Sequence, residues 1–327
     1  MALSLPILIG WLVYIIIAYY CIYSISNILT RILLILILCL SLTYLTCHNL
    51  PVFHLSSLFI VAVCWLTSIR LFHLIIFSKN NSLTFKSYLL KLLWIYFPIQ
   101  TSTSVKNQWS IILSIILIIV KLLTSHWIHR WLINCDRGIN FERIVMFYMS
   151  IMTTSYAIDI QVILIRILTR DKYTMESFTN FPIFSLSIRE FWGRRYNRIT
   201  NTILKQSIFQ PLRSQFLSPT ISALITFIIS GLMHVHVAFV IFDDLSTLFP
   251  TFCFFFLHGI ACCVEANTNM QFDEHVRWVL THIFLLITAP LMIGPFIKEG
   301  SVFLKLNPPP LFDNEWIPKL PLPNFCP

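Results

Sequence analysis

A histidine in the middle of an apolar run is costly unless it has a chemical task or a partner. His234 stands in such a run, FIISGLMHVH over residues 227–236. On a helix, Ser230, His234 and Ala238 share one face, with Gly231 beside them. Small residues around an imidazole leave room for a substrate chain or for another backbone. An imidazole has an unperturbed pKa of about 6.5, so it can accept a hydroxyl proton near neutral pH. His236 lies two positions on and points about 200° away, which disfavours a metal site built from this pair on one helix. The competing reading of His234 is a core histidine held by an interhelical hydrogen bond. No His or Cys spacing suits a metal, and none is expected.

A second group of reactive side chains precedes it. Residues 181–213 read FPIFSLSIREFWGRRYNRITNTILKQSIFQPLR, too polar for lipid and too aromatic for a free loop. Ser187 and Glu190 fit a capping box, so a helix is expected to start at Ser187 and run to about residue 200. On it Ile188, Phe191, Trp192, Tyr196 and Ile199 form an apolar stripe. Glu190, Gly193, Arg194 and Asn197 fall together on a second face. Arg194 and Arg195 are candidates for phosphate groups, because a guanidinium matches phosphate oxygens in a bidentate way. Helical geometry puts only Arg194 on the Asn197 face, while Arg195 is free to snorkel to headgroups. Trp192 can stack on a base or anchor the interface. The alternative for the whole segment is an interfacial helix whose arginines bind lipid phosphates. His258, in the next apolar run, either lines the same chamber or is a hydrogen-bonded core residue. Arg70, His73, Lys121, Asp159 and Arg166 also lie within apolar runs. Asp159 most needs a partner, and Arg166, seven residues on, shares its face; both could line a tunnel or pair helices.

The elements that carry these groups must cross a bilayer. Of 327 residues 57% are hydrophobic and 11% charged, with mean hydropathy +0.78. A soluble domain carries roughly 25% charged residues, so a soluble enzyme, a disordered tail and a disulfide scaffold are excluded. Only 7 Gly occur, which argues against a glycine-rich nucleotide fold. Nucleic acid is not expected as a partner, since the basic residues lie between apolar runs. The cysteines lie mostly in apolar segments and read as small buried hydrophobes. Apolar runs near 5–23, 32–47, 52–77, 109–123, 144–168, 219–242, 251–264 and 276–297 predict about eight spans. The fold class is thus an all-α, polytopic transmembrane helical bundle, with a re-entrant or interfacial helix near 187–200. With no basic residue before Arg31, the first run reads as a retained span. Segment 83–99 reads as an interfacial amphipathic helix. Stretch 78–108 has four lysines and no acid, 169–218 has eight Lys/Arg against three acids, and 243–250 has Asp243 and Asp244 with no base. Two spans separate the basic stretches, so both are expected in the cytosol and the acidic pair in the lumen. The Pro-rich tail 304–327 is expected to be extended, packed on the protein or loose.

SIREFWGRRYN (187–197), FQPLR (209–213), SGLMH (230–234), FFFLHG (254–259) and Glu265 resemble, in order and separation, the wax synthase branch of the membrane-bound O-acyltransferase superfamily. The resemblance covers residues 180–300 and divides the chain into N-terminal spans and loops (1–180), an acyltransferase core (181–303) and the tail (304–327). It implies a multispan enzyme, usually of the endoplasmic reticulum, that moves a fatty acyl group from acyl-CoA to the hydroxyl of a long-chain alcohol, making a wax ester. It maps the catalytic pair onto His234 and Asn197; the substrate contacts expected of Arg194, Arg195, Trp192 and His258 come from their own side-chain chemistry. Acyl-CoA is a co-substrate and no cofactor is implied; the partners are a lipid alcohol and membrane lipids. Two positions depart from the pattern: Tyr196 replaces the usual Trp, and Val235 stands where an acid often follows the histidine. Within that chemistry the acceptor can instead be a sterol, a diacylglycerol or a small metabolite. Outside it, the remaining readings are a transporter, which gives no reason for the aromatic-arginine segment, and an inactive lipid-binding relative, which Val235 keeps open.

Overall fold

A computed structural model describes residues 5–77, 83–102, 109–134, 141–215, 217–268, 272–298, 300–311 and 314–323. The chain is all-α and multi-pass. In order come α1 (Leu5–Ile17), prolonged by a π turn over Ala18–Ile22, α2 (Ile28–Cys47), α3 (Leu55–Ile76), α4 (Phe85–Leu93), α5 (Ile111–Asn134), α6 (Phe141–Thr153) and α7 (Tyr156–Leu168). Then follow α8 (Ile188–Glu190), α9 (Arg198–Leu204), α10 (Gln210–Gln215), α11 (Pro219–Phe242), α12 (Leu248–Asn267), α13 (Glu274–Lys298) and α14 (Gly300–Leu306). Among the described residues the one sheet is a short antiparallel pair, β1 (Ile99–Thr101) and β2 (Tyr173–Met175), with Ile99 opposite Met175. Among the described residues eight segments are long and apolar enough to cross a membrane: 5–22, 28–47, 55–76, 111–134, 141–168, 219–242, 245–267 and 274–296. They coincide with the eight expected runs. In lipid the backbone must satisfy its own polar groups, which is why these runs are helices and not strands.

The helix ends follow from local chemistry. Asn27 caps α2 by accepting from the Leu29 and Thr30 N–H groups. Ser218 caps α11, whose first residue is Pro219, and Asp243 closes that helix in the left-handed region at φ 49°.

The chain folds as two compact units, Met1–Pro98 with Thr200–Cys263 and Ile99–Ile199 with Val264–Pro327. In the first, α3 packs between α2 and α11. Val61, Leu71, Leu74, Ile75 and Ile241 are fully buried there, and shortening such a residue to Ala costs about 2–5 kcal/mol. α1 and α2 expose Leu5, Leu12, Ile37 and Leu40, the surface a bilayer covers. Arg70 is held inside the unit: it donates to Gln206 Oε1 (3.1 Å), Ser207 Oγ (3.3 Å) and the Lys91 carbonyl (3.3 Å). It thereby ties α3 to α4 and to the π turn Lys205–Phe209. Segment 83–99 is no span; α4 buries Tyr88, whose hydroxyl donates to the Ile15 carbonyl at 3.0 Å.

In the second unit α5, α6, α13 and α14 share a core around Leu132, Phe147, Ala289 and Ile293. The expected sharing of one face by Asp159 and Arg166 does not lead to a joint partner. Asp159 pairs with Lys121 of α5 at 2.6 Å, and Arg166 binds Asp171, five residues on, at 2.7 Å. The Arg166 clamp is bidentate and holds the Asp171 carboxyl below its ordinary range through that hydrogen bond. The tail is packed, not loose, where it is described: Trp127 and Trp131 of α5 donate to the Pro318 and Pro321 carbonyls at 2.9 and 3.2 Å. Tail residues 312–313 and 324–327, like Lys79 and Lys106, lie outside the described residues.

Candidate active site

α11 and α12 approach closely because two glycines permit it. A Cβ on Gly259 would sit 2.8 Å from the Phe227 Cβ, and one on Gly231 would sit 3.2 Å from the Phe255 Cβ. That approach lays the His234 ring on Phe255, centroids 4.0 Å apart and 26° from parallel. His234 Nδ1 is 2.8 Å from the Ser230 carbonyl. A carbonyl oxygen only accepts, so Nδ1 is the donor, and in the neutral ring Nε2 holds the lone pair. The ring is half-buried, whereas Ser230 and Ala238 on its face are buried. His236 points elsewhere, as helix geometry requires, and its Nδ1 accepts from Trp65 Nε1 at 2.9 Å. His258 is fully buried in α12, with Nδ1 2.6 Å from the Phe254 carbonyl.

Trp192, Arg194, Arg195 and Asn197 are in the second unit. The expected continuous helix from 187 to 200 does not form. α8 stops after one turn, Phe191–Arg195 is a π turn, Tyr196 is extended (φ −104°, ψ 138°) and Asn197 is left-handed at φ 42°. The shared face of Glu190, Gly193, Arg194 and Asn197 is therefore lost, because the wider π turn and the break at residues 196–197 destroy the 3.6-residue period. The apolar residues still cluster: Phe191 and Tyr196 stack 5.1 Å apart, and Trp192 packs edge-on to both. Asn tolerates the left-handed region better than most residues, which is the one sequence signal for this break.

The turn is pinned from several sides. Ser187 Oγ accepts the Glu190 N–H at 2.9 Å, half of the expected capping box. The other half differs: the Glu190 carboxylate takes the Leu186 N–H (2.8 Å) and the Arg195 guanidinium (2.7 Å). Burial pushes the Glu190 carboxyl up, but the Leu186 N–H and the arginines outweigh it and hold it below the usual carboxylate range. Arg195 is thus an internal clamp and not a snorkelling residue; it also reaches the Phe181 carbonyl at 3.4 Å. Arg194 is exposed and makes no hydrogen bond or ion pair within this unit among the described residues. Glu265 accepts the Ile188 and Arg189 N–H groups, both at 2.9 Å, so a carboxylate sits on the free amides of α8. Backbone bonds from Asn180 N to Arg195 O (2.7 Å) and from Arg198 N to Phe178 O (2.9 Å) lock the returning chain. Burial raises the Tyr196 hydroxyl to about 12, so it stays protonated.

Residues 175–257, from the end of β2 to the middle of α12, match the profile described as the membrane bound O-acyl transferase family. A probable long-chain-alcohol O-fatty-acyltransferase 2 of Arabidopsis thaliana is 31% identical over 146 residues, 39% of this chain and 40% of the relative. The long-chain-alcohol O-fatty-acyltransferase of Simmondsia chinensis is 29% identical over 38% of this chain and 39% of its own length. The acyl-CoA–sterol O-acyltransferase 1 of A. thaliana is 28% identical over 40% and 41%. The match spans about two fifths of the length of these relatives.

Proposed function

We propose that the chain is an acyl-CoA-dependent O-acyltransferase that esterifies a long-chain alcohol to a wax ester, working in the endoplasmic reticulum membrane. The observation that carries the reading is the hydrogen bond of His234, whose Nδ1 lies 2.8 Å from the Ser230 carbonyl, so that Nε2 is the ring nitrogen available to take a proton. An alcohol is a weak nucleophile until its proton is removed. His234 takes that proton as the oxygen attacks the thioester carbonyl; the carbon–sulfur bond breaks, CoA leaves as thiol, and His234 returns the proton to sulfur. Asn197 is the second residue of the proposal, donating to the developing oxyanion or orienting the imidazole. One such donor is worth a factor of about 10² to 10³ in rate. Arg194 supplies the cation for the CoA phosphates, a role supported by its exposure. Arg195 serves the fold of the turn through Glu190, Trp192 packs that turn, and His258 supports the helix that carries Phe255. No acyl-enzyme is needed, so the cysteines take no part.

The test is a microsome assay with labelled palmitoyl-CoA and a panel of acceptors. Ester formation with hexadecanol above that with cholesterol, diacylglycerol or short alcohols is expected. A preference for the sterol would move the protein to the second reading, which the sterol acyltransferase among its relatives favours. No acceptor-dependent ester from active membranes would end both.

A further inference from the structure

The second unit contains a cavity of about 960 Å³ whose lining includes none of the residues assigned above to acyl transfer. Its apolar wall comes from two spans, Leu113, Leu117 and Ile118 of α5 and Val162 and Ile163 of α7. Leu113 to Lys121 runs about 12 Å along α5 at 1.5 Å per residue, so this wall is a slot and not a dimple. Its polar lining includes Lys121, Asp159, Arg166, Glu176 and Arg198. Each of the three cations already has a carboxylate: Lys121 has Asp159, Arg166 has Asp171 and Arg198 has Glu176. The volume lies at the upper end of the roughly 300–1,000 Å³ of small-molecule sites.

We infer that this slot binds a single-chain lipid with a neutral hydroxyl head, the head at the Lys121–Asp159 pair and the chain along Leu117 and Val162. The pairing of charges selects the head. An anionic head would bring uncompensated charge beside Asp159 and Glu176, or would have to displace a carboxylate from its cation, and either is costly in a low-dielectric site. A hydroxyl both donates and accepts, so it can add to the Lys121–Asp159 pair without changing the balance. Lys121 has three N–H donors and directs two of them to Ser155 Oγ (2.9 Å) and Asp159 Oδ2 (2.6 Å). Both side chains of the pair stay partly accessible, 22% and 17% exposed. Naming the occupant as the acyl acceptor rests on the function proposed above; occupancy of the slot does not.

The experiment uses the purified full-length chain in nanodiscs and a hexadecanol analogue bearing a mid-chain diazirine. Irradiation should label peptides of α5 and α7, with hexadecanol competing and palmitate competing far less. Leu117→Trp or Val162→Phe, each filling the slot from a different helix, should weaken labelling by about tenfold, or about 1.4 kcal/mol of binding. The variant that elutes as the wild-type particle is the one read. Labelling confined to other segments, palmitate competing as well as hexadecanol, or full labelling of both filled variants would overturn the assignment. His234→Ala should label like the wild type. Labelling without any ester formation by the wild type would leave the slot standing and remove the proposed function.

Discussion

Asn197 joins backbone shape to chemistry at a single position. Its φ of 42° suits Asn or Gly, while Ala pays roughly 1–2 kcal/mol for the same conformation. Asn197→Gly should therefore keep the left-handed backbone and lower acyl transfer by about 10²-fold, the worth of one oxyanion donor. Asn197→Ala should lose both. Thermal unfolding and turnover measured on the same preparations separate the two; full activity in the glycine variant would reduce Asn197 to a backbone element. At this scale the sequence is only partly legible. His234 stands out because an imidazole in an apolar run is rare, and the opposite orientation of His236 follows from helix geometry alone. The anchoring role of Glu265 does not show, because an acid 76 and 77 residues beyond its amides finds them only through tertiary folding. The pairing of Asp159 with Lys121 and not with Arg166 is of the same kind.

Among the elements, the turn 187–197 depends most on a charge. The Glu190 carboxyl is held below its ordinary value of 4.5, so it binds a proton less readily folded than unfolded. A depressed carboxyl contributes stability that is present above about pH 4.5 and lost as pH falls through the lower folded value. The thermal midpoint should drop as the protein is acidified below that point, and Glu190→Gln should show a shallower drop from a lower starting midpoint. Parallel pH profiles for the two proteins would contradict this role. The long helices are legible in hydropathy because lipid leaves a polar-free run no alternative to helix. The turn is not, since its capping residues promise a regular helix while a π turn and a left-handed Asn override the periodicity from which the arginine faces follow. The amphipathic segment around α4 lies between these cases: its pattern separates it from the spans, and Tyr88 shows which side is buried.

For the whole molecule, the eight spans and the charge of the loops together make an orientation. Two spans, 111–134 and 141–168, separate the basic stretches 78–108 and 169–218, so the positive-inside rule predicts both in the cytosol. A glycosylation acceptor inserted after Asp244 should be modified, and one inserted after Lys172 should not. The reverse pattern would invert the topology. The count of spans is readable from composition, but the grouping of residues 1–98 with 200–263 is not. Helix partnership depends on complementary surfaces such as the close approach at Gly231 and Gly259, which hydropathy does not encode. Likewise a run of prolines says that the tail is no helix, and only the indoles of Trp127 and Trp131 say where it rests.

The account depends most on His234 as the base, and one comparison tests that directly. Ester formation from labelled palmitoyl-CoA and hexadecanol is measured for the wild type, His234→Ala and His236→Ala at matched expression. The expected result is loss of turnover in His234→Ala by about 10²-fold or more. His236→Ala should keep turnover and lose only about 1 kcal/mol of stability, from the orphaned Trp65 N–H. Undiminished ester formation by His234→Ala would contradict the account.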